Sequence, residues 1–536
     1  MLLSSSIIIE YKNLAFQIGL SILLTLILTF LQLPIRFLEG LNTYIHPENV
    51  ASDNTKSGFR PAIRRPSDST TSVEGYQNLD SSSSNEQIKK RVHPKKGKFE
   101  FDETNAQIFR LHLVDSHIRS RLYFSDYQNV FVYSFISISS LMLHKWGLNI
   151  SDKSGVFVNG SVVPILLGFF SILKVVVVIG KLSFERSASK RSEKQLSLIV
   201  GGLGFVLGFS ILLMVVPSVF DFEFEGIDGS GKVVVAILAG CLCGILFMPA
   251  MKIARSFWLG TDQLRWNLSI ISCGWFARFL LYVNFIIGMF TCLLWIKPVA
   301  AMFVKVVNSS EKLAGEKLVG NLGMAQSDFD KFRLMCLLAF GVSQFLALRP
   351  NLQMYLNEAV LSWYQRLHAS KVPDLEFSRA KIFLHNYYMC LVVLQFLAPS
   401  ALVLLFLGLS QIEEEEGKSL LTNFPFIYNF LPCSAFVKEV ALFMAWLVEP
   451  FVCGIVCFSC PSLCCLLFGR LDIILETNIG GGVSISENLI LQQYCGVPDL
   501  CTSYNELVSD VRDVSVPLTS VRNVGHAYIT FIECLR

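Results

Sequence analysis

About nine apolar stretches, each near the ~20 residues that a helix needs to cross a bilayer, punctuate this chain, and the loops between them alternate between basic and acidic. No soluble domain buries that much apolar sequence in runs of that length. The stretches fall at 14–33, 126–144, 160–180, 196–217, 233–251, 276–296, 332–349, 383–408 and 437–468. All are read as helices, because a strand with an open edge leaves its backbone unsatisfied in lipid. The first, ended by Pro34, reads as an uncleaved anchor, since no small-residue cleavage site follows it. The last contains Glu449-Pro450 and reads as a kinked span or a half-helix followed by a span. The expected fold class is therefore all-α, a polytopic membrane helix bundle of about nine transmembrane helices, with eight to ten as the range.

The composition agrees. Of 536 residues, 52% are hydrophobic and only 16% charged, against about 25% charged in an average soluble domain. A net charge of +3 is too small to suggest nucleic acid. Most of the cysteines lie in apolar stretches, where they act as small hydrophobes rather than as a disulfide framework.

Loop charge sets the orientation. Lys181, Arg186, Lys190, Arg191 and Lys194 follow the third stretch; Lys252, Arg255 and Arg265 follow the fifth; Arg349, Arg366, Lys371, Arg379 and Lys381 follow the seventh. The opposite loops carry Asp221, Glu223, Glu225 and Asp228, and Glu413 to Glu416. The odd connections are thus expected in the cytosol and the N-terminus in the lumen or outside, in the endomembrane system or the plasma membrane. Sequons at Asn149, Asn159 and Asn308 fall on the lumenal side, with Asn308 the best glycosylation candidate, while Asn267 falls on the other.

The domain reading follows. Residues 1–47 hold the first span and a short flank. Residues 48–98 form a disordered basic cytosolic loop, rich in Ser and Asn. Residues 99–468 form the helical membrane domain, and 469–536 a poorly structured tail. The cluster Lys89, Lys90, Arg91, Lys95 and Lys96 is a solvated tether or a contact for anionic lipid. Residues 99–125, 252–275 and 350–381 show amphipathic spacing on the same side, which predicts a collar of interfacial helices there; 252–275 alternatively extends a flanking span.

Ionisable and amide side chains inside the stretches are the candidate site residues, because they are costly at that depth. Lys174 either snorkels toward the Lys181 end or meets a buried partner. Arg278 opens the sixth span as an interfacial anchor. Glu449 is expected to pair with Lys174 or Arg278, or to be held neutral. Gln17, Asn284, Gln344 and Gln395 are expected to hydrogen-bond between helices. Gly201, Gly202, Gly204 and Gly208 read as a small-residue packing face rather than a nucleotide loop. Cys457-Phe-Ser-Cys460 lacks the His and acidic neighbours of a zinc site. Catalytic residues, cofactor and metal are all read as none.

Several short motifs, colinear over residues 10–410, then point to a family. They are Tyr44-Ile-His46-Pro47, Ile172-Leu-Lys174-Val, Leu294-Trp295-Ile-Lys297-Pro298, Phe329-Asp330-Lys-Phe-Arg333-Leu, Arg349-Pro-Asn-Leu352-Gln353-Met-Tyr355-Leu356-Asn357 and Leu394-Gln395-Phe-Leu-Ala398-Pro399. In these the chain resembles the transmembrane protein 161 family of multipass eukaryotic membrane proteins. It departs from that family in carrying Gln344 where the family has a basic residue, and in the added residues 471–536. The resemblance implies association with excitability, development and stress responses, without an established transport or enzymatic activity. The expected function is a non-enzymatic modulator working with the bilayer and a membrane-protein partner. The alternative is a transporter or channel whose polar path is lined by Lys174, Arg333, Gln344 and Glu449.

Overall fold

The computed structural model describes residues 12–45, 60–61, 108–147, 161–184, 191–215, 220–222, 229–261, 273–304, 324–367, 375–412 and 435–459. The expectations for the rest of the loop at 48–98, for the tail at 469–536, for Asn149, Asn159, Asn267 and Asn308, and for the cluster from Lys89 to Lys96 lie outside those residues. In chain order the elements begin with α1 (Lys12–Phe30), α2 (Leu33–Leu38), β1 (Asn42–Ile45), β2 (Arg60–Pro61), β3 (Phe109–His112) and α3 (Asp115–Arg119). There follow α4 (Phe124–Gly147), α5 (Val162–Phe184), α6 (Arg191–Ser210) with a π turn to Val215, α7 (Gly229–Thr261), α8 (Trp275–Leu294) and α9 (Lys297–Phe303). The last are α10 (Gln326–Leu367), α11 (Leu375–Tyr387), α12 (Met389–Ser410) and α13 (Ala435–Ser459).

Eight of these helices are long and apolar enough to cross a membrane: α1, α5, α6, α7, α8, α10, α12 and α13. α4 runs alongside them as a ninth. Its Tyr127 hydroxyl donates to the Pro34 carbonyl just beyond one end of α1, and Ser140 Oγ donates to Gln17 Oε1 near the other end. Its lower apolarity comes from a serine face. Ser134, Ser137 and Ser140 are buried toward α1 and α5, with Ser137 Oγ donating to the Leu167 carbonyl at 2.9 Å.

α12 is the axis. It is apolar on every side, and a helix of that kind must be covered all round; 94% of its span is buried, against 11% for α1 and 17% for α6. α4, α5, α7, α10 and α13 all pack on it. Where α6 meets α7, the backbones come close enough that side chains must be absent. A Cβ on Gly240 would sit 2.8 Å from the Gly201 carbonyl oxygen, and Gly204 and Gly208 face Cys243 and Ala239. The expected glycine face is therefore real, except that Gly202 points into open space.

The four odd connections gather at one end of the bundle. Arg349 donates to the Glu39 carbonyl, Arg255 pairs with Glu358, and Lys252 feels the charge of Glu193. The residues flanking the fourth and sixth stretches gather at the other end, through Asp221, Trp295 and Arg333. The first is here the collar end and the second the plug end.

Two local expectations are corrected, and a third is decided between its two alternatives. Residues 99–125 do not form one interfacial helix. Residues 109–112 are β3, pairing antiparallel with β1 and β2 in the order β1-β3-β2, and only the one-turn α3 follows before α4. Leu111 and Leu113 point in while Arg110 and His112 do not, a period of two that the helical spacing masked. Residues 350–381 are not a separate helix either. α10 runs on through Pro350 for 42 residues, about 63 Å at 1.5 Å per residue, roughly twice the hydrocarbon core. α10 is described to Leu367, and the next described helix, α11, starts at Leu375 and meets α12 at Tyr388. Residues 252–261 continue α7 rather than lying apart.

Candidate functional site

α10 carries the polar side chains that most need explaining. With about 100° of turn per residue, Arg333, Gln344, Asn351, Tyr355 and Glu358 fall within a sector about 60° wide, and they span about 38 Å of rise. A single face of one helix thus presents polar groups from the plug end to the collar end.

At the plug end, Arg333 lies in the second turn of α10 and is 8% exposed. Its guanidinium pairs with Asp221 at 2.7 Å and with Asp330 one turn back, and rests 4.5 Å above the Trp295 ring and 5.1 Å from that of Phe329. A buried cation needs this many partners to offset its lost hydration. The ion pair fixes the segment 220–222, whose Asp221 amide also donates to the Trp295 carbonyl at 3.0 Å.

In the middle, Ser343 Oγ donates to Asn284 Oδ1 of α8 at 2.8 Å. Asn284, Gln344, Asn351 and Cys453 line a cavity of about 10 Å³ between α7, α8, α10 and α13, beside apolar neighbours including Phe257 and Phe285. That is about the least volume a single water requires. Gly288 lets the helices close here: a Cβ on it would lie 2.5 Å from Cys453 Sγ and 2.9 Å from the Phe340 ring.

At the collar end, Lys252 of α7 donates to Gln395 Oε1 of α12 at 2.6 Å and lies 5.8 Å from the Tyr355 ring centre. Glu358 accepts from Arg255 at 2.7 Å and from Lys381 of α11 at 3.6 Å. The His385 ring stacks on Tyr355 at 4.6 Å, and burial holds its pKa below the ordinary value, against the pull of Glu358.

The motif Arg349 to Asn357 acts in the same region. Arg349, Gln353 and Asn357 are spaced i, i+4, i+8 and so share one face of α10. Arg349 donates to the Glu39 carbonyl at 2.7 Å. Gln353 both accepts from the Asn42 amide and donates to the Asn42 carbonyl, and Asn357 accepts from the Tyr44 hydroxyl at 2.9 Å. Asn386 of α11 donates to the Tyr44 carbonyl at 2.7 Å. The small sheet is clasped to the bundle by side chains reading its backbone.

The sequence candidates are therefore dispersed. Arg333 belongs to the plug end, Gln344 to the central cavity, and Arg278 to the first turn of α8 near Cys273. Glu449 is wholly buried beside Thr291 and Cys453. It pairs with neither expected cation. Thr291 is 13 residues along α8 from Arg278, about 20 Å of rise, and Lys174 sits half-exposed on α5, which packs against α1, α4, α7 and α12. Lys174 borders the outward stripe of Leu166, Phe170, Leu173 and Val177. Gln17, Asn284 and Gln395 do bond between helices, as expected of intramembrane amides. The sequence marks Lys252 only as loop charge and gives Asn351 and His385 no role of their own. For Lys252 the signal was its position, three residues after Pro249 and easily taken for a loop. Among the described residues no group of three or more His, Cys, Asp or Glu is placed to hold a metal ion.

No solved structure matches the chain. Residues 229–419, which contain α7 to α12 and with them the stripe, Arg333 and the α10 side of the clasp but not Asp221, Lys174 or Glu449, match the family described as predicted transmembrane protein 161AB, which supports the resemblance to the transmembrane protein 161 family.

Proposed function

We propose that the protein is a non-enzymatic modulator that acts on a membrane process through a partner in the bilayer rather than by carrying a solute itself. The observation that supports this best is how little room the interior leaves among the described residues. The central helix is covered along its length, and the cavity beside the polar stripe has room for about one water. Excitability, ion flux and stress response are the processes that the family resemblance brings. The apolar outer faces of α1 and α6, with Leu26, Phe30, Leu198 and Ile199 exposed, are where lipid or a membrane partner would lie.

We place the collar end in the cytosol on its Lys and Arg, with the N-terminus lumenal or extracellular. In that orientation Lys89, Lys90, Arg91, Lys95 and Lys96 face anionic headgroups and Asn308 faces the glycosylating compartment. A glycan mapped to Asn308 supports this placement, and one on Asn267 reverses it.

The test of the modulator reading is flux. Purified protein in liposomes is assayed for potassium, sodium, calcium and proton movement with trapped dyes, and the expected rate is that of protein-free vesicles. Flux that Gln344→Leu abolishes would establish the second reading, a transporter or channel, which the continuous polar face of α10 favours.

A further inference from the structure

Neither oxygen of the buried Glu449 carboxyl has a hydrogen-bond partner among the described residues. The Thr291 hydroxyl beside it is turned to the Ile287 carbonyl at 2.9 Å. The titratable groups facing it are thiols: Cys292 of α8, Cys336 of α10 and Cys453 of α13. On α7 the buried cation Lys252 lies at the collar end, where it answers to Glu193 and Glu358 and its partner on α12 is Gln395. A buried acid with no partner has no packing role that a leucine would not fill better.

What lies above it is equally specific. Trp446 is one turn from Glu449 on α13, and its indole nitrogen also lacks an acceptor. Phe222 stacks on Trp295 at 4.6 Å and meets Trp446 and Phe443 edge-on at 5.2 and 5.5 Å, while Phe220 meets Trp446 at 5.2 Å. The segment 220–222 therefore lays two rings over the plug end of the α8–α10–α13 interior. Its side-chain tether is the Asp221–Arg333 ion pair, with the Asp221 carboxylate a third exposed.

We propose that Glu449 is a proton-exchange site inside the bundle, closed toward the plug end by Phe220 and Phe222, with Arg333 and Asp221 as the latch. A carboxyl in an apolar interior exchanges its proton only when water can reach it, so access decides when it acts. The Asp221–Arg333 pair is the charged contact of that segment, beside the Asp221 amide bond to the Trp295 carbonyl and the ring contacts, so breaking it loosens the cover over Glu449. The cavity lined by Gln344, Asn284 and Asn351 continues the polar route on the far side of Cys453.

Carbodiimides test both parts. A protonated carboxyl adds its oxygen to the central carbodiimide carbon and passes its proton to nitrogen, with no other reactant. The full-length protein in nanodiscs is treated with dicyclohexylcarbodiimide, which enters through lipid, or with a water-soluble carbodiimide, which does not, and adducts are located by peptide mass spectrometry. Dicyclohexylcarbodiimide should modify Glu449, and Glu449→Gln should remove that adduct. The water-soluble reagent should modify Glu449 slowly in the parent and several-fold faster in Arg333→Leu, and the exchanged pair Arg333→Asp with Asp221→Arg should return the slow rate. An unchanged rate with the lipid-soluble reagent shows that Arg333→Leu has kept its fold; should it not fold, Phe222→Ala opens the plug with the latch intact. No adduct at Glu449 from either reagent overturns the site. Water-soluble labelling that ignores both the latch and the ring overturns the gate. Both readouts are independent of whether any ion crosses the membrane.

Discussion

Removing the Asn357 side chain should damage the fold more than removing either group that bonds to it, and the structure gives the size. Tyr44 is 1% exposed and Asn357 3%. Asn357 Oδ1 accepts from the Tyr44 hydroxyl and from Gln353 Nε2, both at 2.9 Å. Tyr44→Phe takes away one donor and leaves that oxygen still bonded, a loss of about 0.5–1.5 kcal/mol. Asn357→Ala strands the buried Tyr44 hydroxyl outright and takes one of two acceptors from Gln353, whose other bond goes to the Asn42 carbonyl. With about 1–3 kcal/mol for a buried orphan and the smaller figure for Gln353, the sum is about 2–4 kcal/mol. The double variant has no stranded hydroxyl, so it should be more stable than Asn357→Ala alone. Denaturant unfolding in mild detergent micelles, read by fluorescence, would rank the three. Burial also raises the Tyr44 pKa above its ordinary 10.0, despite Arg110 nearby. The unfolded chain then loses this proton first, so stability declines as pH rises past 10, and Tyr44→Phe should flatten that decline. A double variant weaker than Asn357→Ala, or an Asn357→Ala no worse than Tyr44→Phe, would refute the clasp.

The other predictions concern packing and charge. Gly240→Ala places a Cβ 2.8 Å from Gly201 oxygen and Phe205 Cβ, so melting in detergent should drop by the equivalent of about 1–3 kcal/mol, while Gly202→Ala, with open space, should be neutral or slightly stabilising. Burial holds His385 below its usual 6.5, with Tyr355, Glu358, Lys381 and Lys252 around it. The stability it contributes is therefore complete above that value and lost as pH falls through it, and a melting-temperature profile from pH 7.5 down to about 5 should be flatter for His385→Asn. Gln395→Leu leaves the Lys252 ammonium without its 2.6 Å acceptor, so it should melt lower than the double variant Lys252→Met with Gln395→Leu.

The spans were legible because their signal is summed over some twenty residues. Their parity was legible because Lys and Arg cluster in the third, fifth and seventh connections while acids dominate the fourth and eighth, and the contacts of Arg349, Arg255 and Asp221 follow that parity. The sheet was not, since four residues of β1 pair with a strand more than 60 positions away and no local period announces such a partner. Which of the alternatives for Glu449 holds was not legible for a related reason: sequence gives depth along a helix but not which helices are neighbours. Lys174 and Glu449 lie on α5 and α13, and that relation was decided by α12 standing at the centre. The Arg349 to Asn357 motif was visible as a pattern, but its i, i+4, i+8 spacing gains meaning only once the backbone of residues 39–44 lies beside it.

α10 binds these parts together. A 42-residue helix half outside the bilayer core has little reason to stay ordered on propensity alone. It is held where it emerges by the clasp on β1 and by Glu358 to α7 and α11, and at its start by Arg333. Beside the polar face between those anchors Ser343 bonds Asn284, while Asn351 Oδ1 on that face has no hydrogen-bond partner among the described residues. That face is narrowed by Gly288 and Phe340, and its acid without a hydrogen-bond partner among the described residues, Glu449, lies off α10 on the neighbouring helix, beneath the rings of Phe220 and Phe222. Polar continuity and solute passage are thus separate properties of this bundle: the first is carried by α10, and the second would require α13 to move away from α8 at the Cys453–Gly288 contact.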